Sequence, residues 1–109
     1  MKVEQVRRFA LSLPEAIEAP HHEASSFRVR GKIFATVPPD GAHLHLFVDP
    51  HEREAAVAAG VGEPLSWGAK VVGLRIALAE ASAPVVRGLL HAAWVAKAPR
   101  ALLDRDGGG

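Results

Sequence analysis

His43 and His45 stand two residues apart, a spacing that puts both imidazoles on one face of a β-strand. Arg28 and Arg30 repeat that spacing upstream, and Arg75 interrupts another apolar run, Val71–Leu78. Two chemistries can use such groups. Guanidiniums offer several donors in a planar fork and stay charged, which suits phosphate. Neutral imidazoles suit a metal, with His21, His22, Glu23 or His51 as sources of a third ligand. No ligand spacing such as H-E-x-x-H accompanies them, so hydrogen-bonding or exposed histidines are expected and no metal site is assigned. Cysteine is absent, which excludes disulfides, thiolate zinc sites and thiol catalysis. Ser25, Ser26 and Ser66 lack a glycine elbow or a paired base, and Gly60-Val61-Gly62 lacks the setting of a dinucleotide loop. No catalytic residue and no cofactor is expected, and the chain reads as non-enzymatic.

The phosphate reading rests on Arg28, Arg30, Lys32, His43, His45, Arg75 and Arg87, with His91 and Lys97 extending it along the last helix. Thirteen basic and twelve acidic residues leave a net charge of +1, so the chain is no bulk polycation. Charge is nonetheless segregated: no acid lies between Glu23 and Asp40, or between Glu63 and Glu80. The expected partner is DNA, held by its phosphate backbone with low sequence specificity. Only Phe34 and Phe47 are placed to stack on bases, which favours a duplex over a single strand. The alternative partner is a protein, with Phe34 and Phe47 as anchors on an open sheet face.

These residues need elements to position them. Val3, Val6, Phe9, Ala10 and Leu13 recur at helical spacing, predicting a helix over about 2–12 that Pro14 ends. Residues 15–23 read as a polar connector. Strands follow near 25–30 and 32–37, turning at Gly31, with Phe27 and Val29 on one face and Arg28 and Arg30 on the other. The register of the second strand stays open: either Ile33, Ala35 and Val37 or Phe34 and Thr36 join the apolar face. Pro38-Pro39-Asp40-Gly41 is a turn, and 43–48 a strand alternating Leu44, Leu46 and Val48 with His43, His45 and Phe47. Asp49 and Pro50 start a helix that Gly60 stops. Residues 62–70 read as a loop, with a short strand around Leu65–Trp67 as an alternative, and Trp67 is expected to close the edge of the core, a ligand-gripping aromatic being the alternative. In the strand over 71–78, Val72, Leu74, Ile76 and Leu78 should face the core and Val71, Gly73, Arg75 and Ala77 away from it. Ser82 caps a last helix whose stripe is Val86, Leu89, Leu90, Ala93 and Trp94. Pro99 ends or kinks it, and 100–105 add a turn.

The order α-β-β-β-α-(β)-β-α implies an α+β two-layer sandwich, an antiparallel sheet with its helices mainly on one face. At 109 residues the chain suits one domain, 1–106, followed by a disordered glycine tail, 107–109. No apolar run approaches the roughly 20 residues needed to span a bilayer, and no signal peptide is evident. A cytoplasmic monomer or weak homodimer without membrane contact is the expectation.

One segment is more specific than the rest. Phe27-Arg28-Val29-Arg30-Gly31-Lys32-Ile33-Phe34-Ala35, followed by Trp67-Gly68 and by Ala93-Trp94 before Lys97-Ala98-Pro99, resembles the MmcQ/YjbR family. Pro20-His21-His22 is similar to a variant found in part of that family. The likeness runs from the first helix to about Pro99. It implies a secretion-chaperone-like or frataxin-related fold of order α-β(3)-α-β(2)-α. It also implies DNA contact, through a label that members commonly carry, and it brings no catalytic motif.

Overall fold

The computed structural model describes residues 1–107, with side chains through Asp104. Ten elements follow one another: α1 (Val3–Ser12), β1 (Ala16–His21), β2 (Ala24–Val29), β3 (Lys32–Val37), β4 (His43–Leu46), α2 (Pro50–Ala58), β5 (Glu63–Trp67), β6 (Lys70–Ala77), α3 (Ala83–Lys97) and α4 (Arg100–Gly107). The strands form one antiparallel sheet in the order β1-β2-β3-β4-β6-β5. The expected α+β architecture is therefore present. The expected glycine tail overlaps α4 at Gly107 and otherwise lies outside the described residues.

Two elements differ from the sequence reading. The segment expected to be a polar connector contains β1, which pairs with β2 along its whole length. It is an edge strand with only intermediate and exposed residues, so it lacks the apolar alternation that marks half-buried strands. Glu15, at φ +57°, turns the chain out of α1 into it. The alternative short strand is also real, as β5, the opposite edge. The sheet thus contributes four strands before α2 rather than three.

Helices α1 and α3 pack against each other and over the sheet. Trp94, Phe27, Phe34, Leu44, Leu46, Leu74, Ile76 and Leu90 are fully buried between the layers. Burial of the Trp94 ring leaves its indole N–H needing a partner, and it donates to the Pro14 carbonyl at 3.0 Å, tying α3 to the α1–β1 turn. The expected caps form: Asp49 accepts from the Glu52 N–H at 2.9 Å, and Ser82 from that of Val85 at 3.4 Å.

Two β-bulges decide which side chains face which way. Phe27 pairs with Ala35 and Arg28 with Ile33, so Phe34 is an extra residue in β3. The bulge resolves the open register: Phe34, Ala35 and Val37 enter the core, while Ile33 and Thr36 turn to the other face. In β6, Leu65 pairs with Gly73 and Ser66 with Val71, leaving Val72 as the extra residue. Val72 was expected in the core; the bulge moves it to the opposite face, where it lines a groove. Phe34, expected among the exposed anchors, is buried by the same device.

Candidate binding site: the open sheet face

The face of the sheet away from the core carries one transverse row through all six strands. Ala19 pairs with Ser26, Ser26 with Thr36, Thr36 with His45, His45 with Arg75, and Arg75 with Glu63. Antiparallel partners point to the same side, so these side chains share one surface. Ser26 is fully buried within it, donating to the Ala19 carbonyl at 2.7 Å and accepting from Arg28 Nε at 3.0 Å. Arg75 Nη1 lies 3.0 Å from His45 Nε2, a contact in which the guanidinium donates and the ring nitrogen accepts. Partial burial lowers the His45 pKa from its ordinary 6.5, and the positive charge of Arg75 lowers it further. Arg75 Nε also approaches Glu63 Oε1 at 3.8 Å.

The basic residues singled out in the sequence divide accordingly. Arg28, His43, His45 and Arg75 lie on the open-face side of their strands, as strand alternation requires. Arg30 does not. It occupies the two-residue turn between β2 and β3 at φ +49°, beside Gly31 at +82°, the positive-φ pair that a tight hairpin with two central residues uses. Its guanidinium is held by Glu15 in a fork, with Nε–Oε1 at 2.6 Å and Nη2–Oε2 at 2.9 Å. Lys32 pairs with core-facing Val29 and starts β3 on the helix side. Arg87 is exposed on α3, the other layer. His43 is engaged by Asp40, with Nδ1 and Oδ2 2.7 Å apart. The Asp40 carboxylate also accepts from the Ala42 N–H, and these bonds hold its pKa below the usual 3.8. Among the described residues, no three histidine or acidic side chains converge as metal ligands.

Apolar rather than basic groups dominate the centre of this face. Phe47 and Trp67 lie with ring centroids 5.8 Å apart, and Trp67 is 62% exposed rather than closing the core. Gly73 makes the arrangement possible. A Cβ there would stand 2.5 Å from the Leu46 carbonyl oxygen and 3.3 Å from Phe47 Cδ1, so only glycine lets Phe47 lie over β6. Ile33, Thr36, His45, Phe47, Trp67 and Val72 line a groove of about 1200 Å³. His21 at the end of β1, His22 and Glu23 in the turn after it, Ala24, Pro38, Pro39 and Lys97 complete its walls. Sequence reasoning weighed Phe47 as an anchor, favoured the core edge over a ligand-gripping role for Trp67, left the side of Ile33 open and placed Val72 in the core. Phe47 is legible because it alternates with His45; the other two strand residues depend on bulges that leave no compositional trace.

The YjbR family profile matches residues 11–104. The chain belongs to the YjbR family. The match takes in both bulges, the Phe47–Trp67 pair and the whole groove, so the site lies within the part that defines a YjbR domain. No curated protein matches the chain. No helix among the described residues is long and apolar enough to cross a membrane.

Proposed function

We propose that this YjbR domain is a non-enzymatic binding module of the cytoplasm whose open sheet face holds a segment of another protein. One observation carries the reading: Phe47 and Trp67 pack against each other with tilted rings at the surface, in a groove floored by Ile33 and Val72. Burying exposed aromatic and aliphatic surface is the main source of affinity between proteins, and aromatics are enriched at such contacts. The groove, at about 1200 Å³, exceeds the roughly 300–1000 Å³ of small-ligand clefts and opens to solvent, which suits a chain segment better than a metabolite. The secretion-chaperone-like fold implied by the family resemblance is compatible with this reading and lends it analogy alone.

DNA contact through the basic hairpin is the competing reading, and charge pairing weighs against it. Arg30 is neutralised by Glu15, Arg75 approaches Glu63, and Arg7 is shared by Glu4 and Glu18. Phosphate would have to displace these carboxylates before gaining the same contacts. Trp67 is a built-in reporter, since Trp94 is fully buried. Its emission should shift to the blue on titration with a permanently unfolded, carboxymethylated polypeptide. A DNA duplex, tried at about 20 mM and about 200 mM salt, should leave the emission and the anisotropy of a labelled duplex unchanged. Duplex binding that weakens with salt and with Arg28→Ala, alongside silence towards the polypeptide, would reverse the assignment.

A further inference from the structure

Occupation of the groove can be tied to a proton, on the footing that the open face is the binding face. We infer that His45 gates the groove: a protein segment is held while the imidazole is neutral and released when the ring takes up a proton from solution.

One contact fixes the protonation state of the ring. Arg75 Nη1 lies 3.0 Å from His45 Nε2. A guanidinium offers donors alone and stays charged, so Nε2 accepts and carries no proton. Protonation there removes the acceptor and sets a second positive charge against the first. Arg75 has an alternative, since its Nε is already 3.8 Å from Glu63 Oε1. The imidazolium must instead be hydrated.

His45 also stands where an occupant lies. It lines the groove with Phe47, the next residue but one, and with Thr36, its partner on β3. The ring is half-buried in the free protein, and an apolar segment laid against Phe47 covers more of it. A neutral ring tolerates that loss of water because Arg75 supplies its hydrogen bond; a charged ring does not. Proton and segment therefore compete. By linkage, the segment expels the proton to the extent that the proton weakens the segment's hold.

The direction follows from the neighbours. Arg75 faces the ring from β6, with Glu63 of β5 beyond it. His43, on the same strand, is paired with Asp40 of the preceding turn, and Thr36 brings a hydroxyl and no charge. Partial burial, then Arg75, hold the free protein's His45 pKa below 6.5, with His43 adding to the lowering and Asp40 opposing it. An occupant lowers it further, so affinity is level above 6.5 and falls as pH drops through the free protein's value. A single proton limits the fall to about tenfold per pH unit. The other titratable groups lining the groove are His21, His22, Glu23 and Lys97. His21 and His22 face each other with ring centroids 4.6 Å apart, and β2 and β3 separate β1 from β4.

The test titrates the whole chain with the carboxymethylated polypeptide from pH 8 to pH 5, reading Trp67 emission wherever circular dichroism shows the protein folded. Affinity should be level down to about pH 7 and weaken by about threefold or more by pH 5. His45→Gln should remove the slope, and the double variant His21→Gln/His22→Gln should retain it. Titration of the polypeptide itself is common to all three and cancels in the comparison. Arg75→Gln removes one cause of the lowered value and should move the onset up towards 6.5. Calorimetry in two buffers of different ionisation enthalpy should show proton release on binding near pH 5.5 by the unaltered chain and none by His45→Gln. A slope that survives His45→Gln, or one lost only with His21 and His22, overturns the gate and leaves the binding face standing. Silence towards the polypeptide at every pH overturns the face and the gate together.

Discussion

The two faces of this sheet are built from the same strands and have opposite fates. On one side Leu44, Leu46, Leu74 and Ile76 disappear into a core shared with α1, α2 and α3. On the other, one residue along, His45, Phe47 and Arg75 are only half-buried, and His45 and Phe47 line the groove. Each face also owns a bulge, Phe34 enlarging the sealed side and Val72 the open one. Each owns a tryptophan too. Trp94 is 0% exposed with its N–H satisfied, whereas Trp67 is 62% exposed against Phe47. Large apolar groups on a sealed face need no explanation beyond folding. On the open face they leave a hydration cost that folding does not remove, which points to a partner.

The two tryptophans offer the widest separation between the faces. Trp94→Ala should destabilise the fold by about 3–5 kcal/mol, through lost burial, a cavity and an unpaired Pro14 carbonyl. Trp67→Ala should change stability by less than about 1 kcal/mol while abolishing polypeptide binding. Urea denaturation followed by circular dichroism measures both. A large loss from Trp67→Ala would mean that the open face is a second core and not a docking surface.

Gly73 tests the boundary between the faces, because it lies in the sheet yet serves the groove. Gly73→Val places a side chain against the Leu46 carbonyl and the Phe47 ring. A cost of about 1–3 kcal/mol is expected, with Phe47 displaced and binding lost. Gly88 is the control: on α3 a Cβ meets nothing within 4 Å. Gly88→Ala should leave the groove intact and stabilise the helix by about 0.5–1 kcal/mol.

Legibility followed the same division. The sealed face could be read in advance because Leu44-x-Leu46-x-Val48 and the stripe Val86, Leu89, Leu90, Ala93, Trp94 obey simple periods. The caps at Asp49 and Ser82 were legible for a similar reason, each resting on one short-range bond. The open face depends on features without a period. A bulge is one residue opposing none, and nothing in Val71-Val72-Gly73 announces which residue is extra. β1 was hidden because an edge strand over a polar segment has little to bury. Arg30 looked like a strand residue until the hairpin turn claimed it, and the long-range pair with Glu15 cannot be seen in a linear reading. His45 and Arg75, by contrast, were grouped correctly on one face, because both lie in regular stretches of their strands.

That grouping yields the subtlest contrast between the faces. On the helix side the shifted carboxylate is ion-paired, Glu18 with Arg7 of α1, whereas the open side has His45 partly buried beside a guanidinium. In the unfolded chain His45 takes up a proton near its ordinary 6.5; in the folded chain the pKa is lower. The unfolded state therefore binds more protons over that interval, and stability falls as pH drops below 6.5 towards the folded value. Above 6.5 the imidazole is neutral in both states and the effect vanishes. Asp40 and Glu18, whose folded pKa values lie below 3.8 and 4.5, surrender their own contributions only in more acidic solution. His45→Gln keeps an acceptor for Arg75 without a titrating ring. It should flatten the decline in urea midpoint between about pH 7.5 and pH 5.5 and leave the midpoint at the upper end nearly unchanged. The groups facing His45 are Arg75 from β6 and Thr36 from β3, with His43 and Asp40 nearby. A slope unaffected by His45→Gln would therefore place the pH sensitivity outside the Arg75–His45 contact. It would also remove the contrast that a titrating imidazole on the open face makes with the ion-paired Glu18 on the helix side.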